Sequence, residues 1–183
     1  SGQNIQIITT ENMGPADARN TGIDNATGEF VLFLDADDTF DPLIFDTISS
    51  ALDVAPHVDL LIFGFRIINS SGSAVNTYRH TPLDLTVDTI GQRFSELYQS
   101  NLLNQVWNKV YRRTLIQSVR FQDLMYGEDR IFVLDSLKLA DNISILDDVL
   151  YDYRITGTDS LISKFYPKKL TATLRIDKSV RDY

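Results

Sequence analysis

An apolar run of five residues, from Phe30 to Leu34, ends abruptly in the aspartates Asp35, Asp37 and Asp38. A continuous apolar run of this length is typical of a strand that is buried on both faces of a parallel sheet. In open α/β sheets, ligands bind just beyond the carboxyl ends of the strands. The sequence therefore predicts a buried strand that delivers three carboxylates to a ligand site.

The segments around this run alternate between strand-like and helix-like patterns. We predict strands over residues 5–9, 30–34, 59–69 and 143–155, and helices over residues 15–26, 42–55, 88–100, 127–139 and 165–183. Strand, helix and strand in succession at the front predict α/β layering with right-handed crossover connections. We find no repeat and no linker, so the 183 residues are expected to form a single domain.

The composition excludes several classes of protein. The chain has no cysteine, which excludes a disulfide scaffold, a zinc finger and a thiol nucleophile. Its longest apolar runs fall far short of the ~20 residues that cross a bilayer, and we recognise no signal peptide. Residues 1–60 hold 11 of the 25 acidic residues and one basic residue, Arg19, so they would repel a nucleic-acid backbone. We therefore expect a soluble, cytoplasmic protein that does not bind nucleic acid.

The three aspartates after the apolar run are the strongest indication of chemistry. Carboxylates this close repel one another, and a bound cation would offset that repulsion. Hard oxygen ligands suit Mg²⁺ or Mn²⁺, which keep several waters and bridge to substrate phosphates. The alternative is a polar turn in which Asp38 or Asp41 caps the next helix. We favour the metal site because Asp41 already supplies a cap.

Three further features each allow two interpretations. Arg19 lies one turn into a predicted helix, where it either serves an anionic ligand or simply belongs to the helix. Glu128 and Asp129 begin another helix, where they either complement its dipole or present a general base to a cleft. Trp107, together with Asn108, Lys109 and Tyr111, either forms a wall on which a sugar ring stacks or belongs to the core. The local pattern leaves both interpretations open in each case.

Six segments of the sequence carry a family pattern in a fixed order. They are Asn12-x-Gly14-x-x-x-Ala18-Arg19-Asn20-x-Gly22, Ala26-x-Gly28-Glu29-Phe30, Phe33-Leu34-Asp35-Ala36-Asp37-Asp38, Val106-Trp107-Asn108-Lys109-Val110-Tyr111-Arg112, Gly127-Glu128-Asp129 and Tyr151-x-Tyr153-Arg154. Together they resemble family 2 glycosyltransferases of the GT-A fold, of the bacterial polysaccharide type, over nearly the whole chain. The resemblance implies a mixed sheet flanked by helices, with a donor and metal half over residues 1–70. Residues 71–183 would then form the acceptor half and the C-terminal helices.

The resemblance also implies an activity and a set of roles. The enzyme would be inverting and metal-dependent, moving a sugar from a nucleotide-diphosphate donor, expected to be a UDP-sugar, to a glycan or lipid-linked acceptor. Asp37 would be the principal ligand of Mn²⁺ or Mg²⁺, with Asp35 beside the metal and the ribose, and Asp38 supporting the cluster. Asp129 would be the general base, with Glu128 beside it. The remaining implied contacts are Arg19 and Arg154 with the donor, and Trp107 and Lys109 with the acceptor.

The beginning of the chain departs from the family pattern. Members of the family start with a strand, a helix and a second strand that grip the nucleotide base, and residues 5–9 would be the strand that follows them. We therefore expect a chain that lacks this front segment and has an exposed sheet edge. The resemblance then leaves room for peripheral attachment to the inner face of a membrane and for an oligomer formed through that edge.

Two other functions fit parts of the sequence. Residues Leu34 to Thr39 match the DxDx(T/V) signature of haloacid-dehalogenase-type phosphatases, in which Asp35 would be the nucleophile and Asp37 the acid/base, again with Mg²⁺. That family, however, puts this strand at the start of its domain and gives no account of residues 12–22. The second alternative is a non-catalytic glycosyltransferase-like module, which would bind a cation without turning over a donor.

Overall fold

The computed structural model describes residues 5–11, 14–124, 126–155 and 167–181. The strands in these ranges are β1 (Phe30–Leu32), β2 (Thr39–Phe40), β3 (Leu60–Ile68), β4 (Ala74–Tyr78), β5 (Leu83–Thr86), β6 (Lys109–Arg112) and β7 (Asn142–Arg154). The helices are α1 (Pro15–Asn25), α2 (Ile44–Val54), α3 (Val87–Gln99), α4 (Arg113–Ile116), α5 (Glu128–Leu139) and α6 (Pro167–Arg181). Within these ranges, no helix has the length and apolar character needed to cross a membrane.

The described strands form one mixed sheet in the order β1-β6-β3-β7-β2, with β4 paired to β3 and β5 paired to β7. β3 and β7 are parallel, whereas the other described pairs are antiparallel. Because β6 lies between β1 and β3 and is antiparallel to both, β1 runs parallel to β3. The carboxyl ends of β1, β3 and β7 therefore share one edge of the sheet, which is where α/β sheets bind ligands.

Two of the helices show how the sequence specifies their packing. α3 begins with a capping box, in which the hydroxyl of Thr89 accepts a hydrogen bond from the backbone N–H of Thr86 at 2.8 Å. Its buried residues recur at helical spacing, as in a helix with one face on the core. α5 is buried on most of its sides, through Ile131, Phe132, Val133, Leu134, Ser136 and Leu137. A helix held this firmly gives a fixed position to the residues of its first turn.

An aromatic cluster joins the end of β1 to α5. The rings of Phe121 and Phe132 stack with their centroids 3.9 Å apart. Phe33, which follows β1, contacts both rings edge-on, at 5.5 and 5.9 Å, and contacts Tyr111 of β6 at 5.7 Å. Edge-on and stacked aromatic pairs are each worth about 0.5–1.5 kcal/mol beyond the area that they bury. The cluster thereby brings the aspartates after β1 towards the start of α5.

The strand predicted over residues 5–9 is wrong. Residues 5–11 have no regular structure, and the side chains of Ile5 and Ile7 are 84% and 87% exposed. A strand is stable only when its backbone groups pair with a neighbour. In the part of the chain that the structure describes, no strand pairs with this segment.

The strand predicted over residues 30–34 exists, but it is short and only half-buried. β1 has three residues, Leu34 is 50% exposed, and β6 is its one pairing partner among the described strands. The burial on both faces that the apolar run predicts is therefore wrong, because the three residues of β1 are only partly buried. An apolar run also does not indicate how many strands pair with it, and β1 lies at the edge of the described sheet. The predicted helices match α1, α2, α3, α5 and α6, apart from residues 165, 166, 182 and 183, which lie outside the described ranges. The strands β2, β4, β5 and β6 and the short helix α4 were not predicted.

A glycine in the middle of β3 generates the first testable prediction. A Cβ at Gly64 would lie 2.7 Å from the carbonyl oxygen of Tyr78, 2.9 Å from Cβ of Arg79 and 3.1 Å from the carbonyl oxygen of Asp148. Two of these neighbours are backbone atoms, which cannot move aside cheaply. We expect Gly64→Ala to lower the free energy of unfolding by about 1–3 kcal/mol, measured by urea denaturation. Gly91→Ala, at an open helical position in α3, should raise it by about 0.5–1 kcal/mol. Equal stability of the two variants would contradict this account.

Candidate active site

The side chain of Arg19 on α1 joins three carboxylates that come from two separate parts of the chain. Its Nη2 donates to Oδ1 of Asp35 at 2.9 Å, beyond β1. Its Nη1 donates to Oδ1 of Asp129 at 2.6 Å and lies 3.5 Å from Oε1 of Glu128, both in the first turn of α5. Only 15% of the arginine side chain is exposed. Features that the sequence presents as three separate candidates therefore form one cluster, which we call the Arg19 cluster.

The position of Arg19 is set by the packing of α1. Gly14 precedes the helix with a φ of 98°, a conformation that suits glycine, and Pro15 occupies the first turn, where no N–H is needed. Asn20 makes two hydrogen bonds of 2.9 Å with the backbone of Phe121, one through Nδ2 and one through Oδ1. The guanidinium of Arg19 lies 5.4 Å from the centroid of the Phe121 ring. Asn12, which opens the motif, lies outside the described residues.

The turn after β1 directs its three aspartates towards different surroundings. Asp38 is buried, and it accepts hydrogen bonds from Oη of Tyr151 at 2.7 Å and from the backbone N–H of Arg154 at 2.8 Å. Burial raises the pKa of Asp38, while these two bonds act in the opposite direction. Asp35 turns sideways to Arg19, and Asp37 is exposed. Among the described residues, none makes a hydrogen bond or an ion pair with the side chain of Asp37.

Asp129 has an environment that shifts its protonation. Burial raises the pKa of its carboxyl to about 7; Arg19 and Lys109 act against that shift, whereas Glu128 and Asp35 reinforce it. About a fifth of the side chain, 21%, nevertheless stays exposed. A carboxyl group that is both reachable and half-ionised near neutral pH has the properties of a general base.

The wall predicted from Trp107 and Lys109 is wrong, because both side chains are in the core. Trp107 is 4% exposed and stacks on Tyr151, with centroids 4.1 Å apart. Lys109 is fully buried, and its Nζ donates to the carbonyl oxygens of Leu102 at 2.6 Å and Gln105 at 2.5 Å, and to Oδ1 of Asn108 at 2.7 Å. Burial lowers the pKa of Lys109 well below its usual value. Neither side chain offers a face to an acceptor.

Tyr151 also belongs to the candidate site, although its motif in the sequence did not predict a role for it. Besides donating to Asp38, its hydroxyl accepts a hydrogen bond from the backbone N–H of Asp35 at 3.3 Å. It therefore ties both ends of residues 35–38, which we call the acidic turn, to β7. The motif that contains Tyr151, together with its alternation with Tyr153 on one face of a strand, was the available signal. Arg154 reaches the same turn through its backbone N–H, while its Nη2 lies 3.5 Å from Oγ1 of Thr39.

The Arg19 cluster generates a prediction about stability. Removing the cation leaves three partly buried carboxylates beside one another, so Arg19→Gln is expected to lower the free energy of unfolding by about 3 kcal/mol at neutral pH. The matched control is Arg120→Gln, because the Arg120–Asp24 ion pair has a similar length, 2.8 Å, but side chains that are 44% and 57% exposed. That variant should lose less than about 1 kcal/mol. Thermal and urea denaturation measure both losses, and similar losses in the two variants would refute the proposed importance of the cluster.

Comparisons with known proteins agree on a family. The model of the family described as Glycosyl transferase family 2 matches residues 1–136. EpsH of Bacillus subtilis (strain 168) is 29% identical over 178 residues, which covers 91% of this chain and 48% of EpsH. The poly(ribitol-phosphate) beta-N-acetylglucosaminyltransferase TarS of Staphylococcus aureus (strain MW2) is 28% identical over 166 residues, covering 88% of this chain and 27% of TarS. The chain thus spans about half, or less, of the length of these relatives.

A solved structure supports the fold. The crystal structure of residues 1–349 of S. aureus TarS in complex with UDP-GlcNAc matches with a TM-score of 0.71 at 23% sequence identity, covering 94% of this chain and 48% of that chain. A likeness at this identity establishes the architecture, and the predicted GT-A mixed sheet with flanking helices is confirmed. The family match leaves the phosphatase alternative without support. Because the family model covers most of the chain, the chain belongs to glycosyl transferase family 2.

Proposed function

We propose that this chain carries the catalytic centre of an inverting, metal-dependent glycosyltransferase. The donor would be a nucleotide-diphosphate sugar, and the acceptor a hydroxyl group of a glycan or of a lipid-linked sugar. The observation that carries the proposal is the Arg19 cluster, in which one arginine joins a carboxylate of the acidic turn to a second carboxylate whose pKa is about 7. A phosphate-binding region and a general base would then meet in one site.

The acidic turn has a donor set that suits Mg²⁺ or Mn²⁺. Within the described ranges, no group of three His, Cys, Asp or Glu residues is arranged to hold a metal alone. Mg²⁺, however, is typically bound by one or two carboxylates together with substrate phosphates and waters. Asp37, exposed and without a protein partner among the described residues, would be the principal ligand, with Asp35 beside it. The metal, when bound, would act as a Lewis acid for the departing nucleoside diphosphate.

Asp129 is the proposed general base. Its ionised form would take the proton of the acceptor hydroxyl while that oxygen attacks the anomeric carbon opposite the leaving group, which inverts the configuration. Glu128, the preceding residue on the helix, keeps the local charge negative and so favours the protonated form of Asp129. Arg19 and Arg154, both at the edge of the acidic turn, are the proposed contacts for the anionic donor.

Single observations support three further proposals, which concern the donor, the location of the protein and its assembly. Because the solved structure of TarS is a complex with UDP-GlcNAc, a UDP-sugar is the first donor to test. The last 23 residues hold six basic and two acidic residues, a charge that would favour peripheral attachment to an anionic membrane surface at the cytoplasmic face. The side of β1 that pairs with no described strand is the proposed edge for an oligomer.

Binding of the donor tests the role of the acidic turn. We expect UDP to bind this chain in the presence of Mn²⁺ and to lose at least about tenfold in affinity without the metal, measured by calorimetric titration. Asp37→Asn should lower the affinity for UDP in the presence of Mn²⁺ to the value measured without the metal. Asp46→Asn, the same change at an exposed aspartate of α2, should leave it intact. Metal-dependent binding that survives Asp37→Asn would refute the assignment, and binding without any turnover of UDP-sugars would favour the non-catalytic module.

The rate of transfer tests the role of Asp129. Asp129→Asn should lower kcat by about 10²–10⁴-fold with the affinity for the donor unchanged, whereas Glu128→Gln should cost less than about tenfold. Since the base acts in its ionised form and its pKa is about 7, kcat should fall as the pH drops below 7 and level off above it. Rates measured from pH 5 to 9 with a UDP-sugar would show this. A profile that is flat across pH 7, or an equal loss in the two variants, would assign the base elsewhere.

A further inference from the structure

The first turn of α5, which carries the proposed base, lies directly against the C-terminal helix. Gly127 precedes that turn with a φ of 82°, and its carbonyl oxygen accepts the first helical hydrogen bond, from the N–H of Ile131 at 3.1 Å. A Cβ on Gly127 would run into the side chain of Ile176 on α6, overlapping Cδ1 and lying 3.2 Å from Cγ1. Glycine is therefore required here both by the backbone conformation and by the closeness of Ile176.

Among the described side chains of α6, Ile176 is the one that is buried against the rest of the protein. It is 4% exposed, while the neighbouring described side chains Leu174, Arg175, Asp177 and Lys178 are exposed. Val180, one turn further along the same face, is partly buried against the core. Since the buried contact of Ile176 falls on Gly127, the helix presses on the backbone immediately before Glu128 and Asp129.

We propose that Ile176 is a positioning residue for Asp129, acting through Gly127. Gly127 has no side chain of its own with which to cap the helix, and no side-chain cap bonds its first turn in the described residues. Packing by Ile176 supplies the constraint that a cap would otherwise give. It holds the first turn where the Asp129 carboxyl is shielded from water and stays 2.6 Å from Nη1 of Arg19. The inference rests on the proposed function only in so far as Asp129 is the base.

The test compares two truncations on the same helix. Ile176→Ala removes the contact with Gly127, and Leu174→Ala removes a similar side chain that is 60% exposed. The readout is the titration of the Asp129 carboxyl followed by carbon-13 NMR, which needs no activity. Burial outweighs the opposing effect of Arg19 on this group, so loosening the turn should lower the midpoint from about 7 in Ile176→Ala and leave it unchanged in Leu174→Ala. An unchanged midpoint in a folded Ile176→Ala protein overturns the proposal.

Kinetics separate this inference from the proposed function. Ile176→Ala should lower kcat by between about 10- and 100-fold with the KM for the donor unchanged, and Ile176→Leu, which keeps the volume of the side chain, should restore most of the loss. If Asp129→Asn transfers sugar as well as the parent protein, the role of Asp129 as a base fails, while the NMR midpoint still decides whether Ile176 positions it. Should Ile176→Ala fail to fold, Ile176→Val supplies the same comparison with a smaller shift, and no shift in that folded variant overturns the proposal.

Discussion

The guanidinium of Arg19 faces carboxylates from the end of β1 and the start of α5, and the arrangement of the site depends on it. Two like charges 4 Å apart repel by about 4 kcal/mol at the effective dielectric near a protein surface, so these groups would not share the space without a cation. Arginine suits the task because its planar fork binds two partners at once. One terminal nitrogen binds Asp35 at the end of a strand, and the other binds Asp129 on a helix, 110 positions after Arg19.

In the acidic turn, the three carboxylates avoid one another by facing different surroundings. Asp38 points inward to Tyr151, Asp35 sideways to Arg19, and Asp37 outward to solvent. Protein partners therefore offset two of the three carboxylates, and the turn does not need a cation in order to fold. Repulsion among the aspartates therefore does not by itself call for a metal. The exposed carboxylate of Asp37 instead matches the way in which Mg²⁺ is held beside a phosphate.

Much of the fold is readable from local patterns, and much of the site is not. The periodicity of α3 and the apolar run of β3 are local signals, and both elements lie where they were predicted. β6 was missed because its first residue, Lys109, looks solvent-exposed, although three oxygen atoms that surround its amine make its burial tolerable. The meeting of Arg19 with Asp129 follows from tertiary packing, which no local pattern encodes. The hydroxyl of Tyr151 was missed for the same reason.

The antiparallel pairing of β1 with β6, and of β2 with β7, has a consequence for how the molecule assembles. The residues on either side of the acidic turn find their strand partners about 80 and 110 positions later in the chain. Contacts of such long sequence separation pay their loop-closure entropy before they gain any energy, so they form slowly. During synthesis the turn that would hold the donor must wait until Tyr151 has emerged from the ribosome. The candidate site is thus among the last parts of the molecule to take shape, and until then its edge strands are open to pairing with the wrong neighbour.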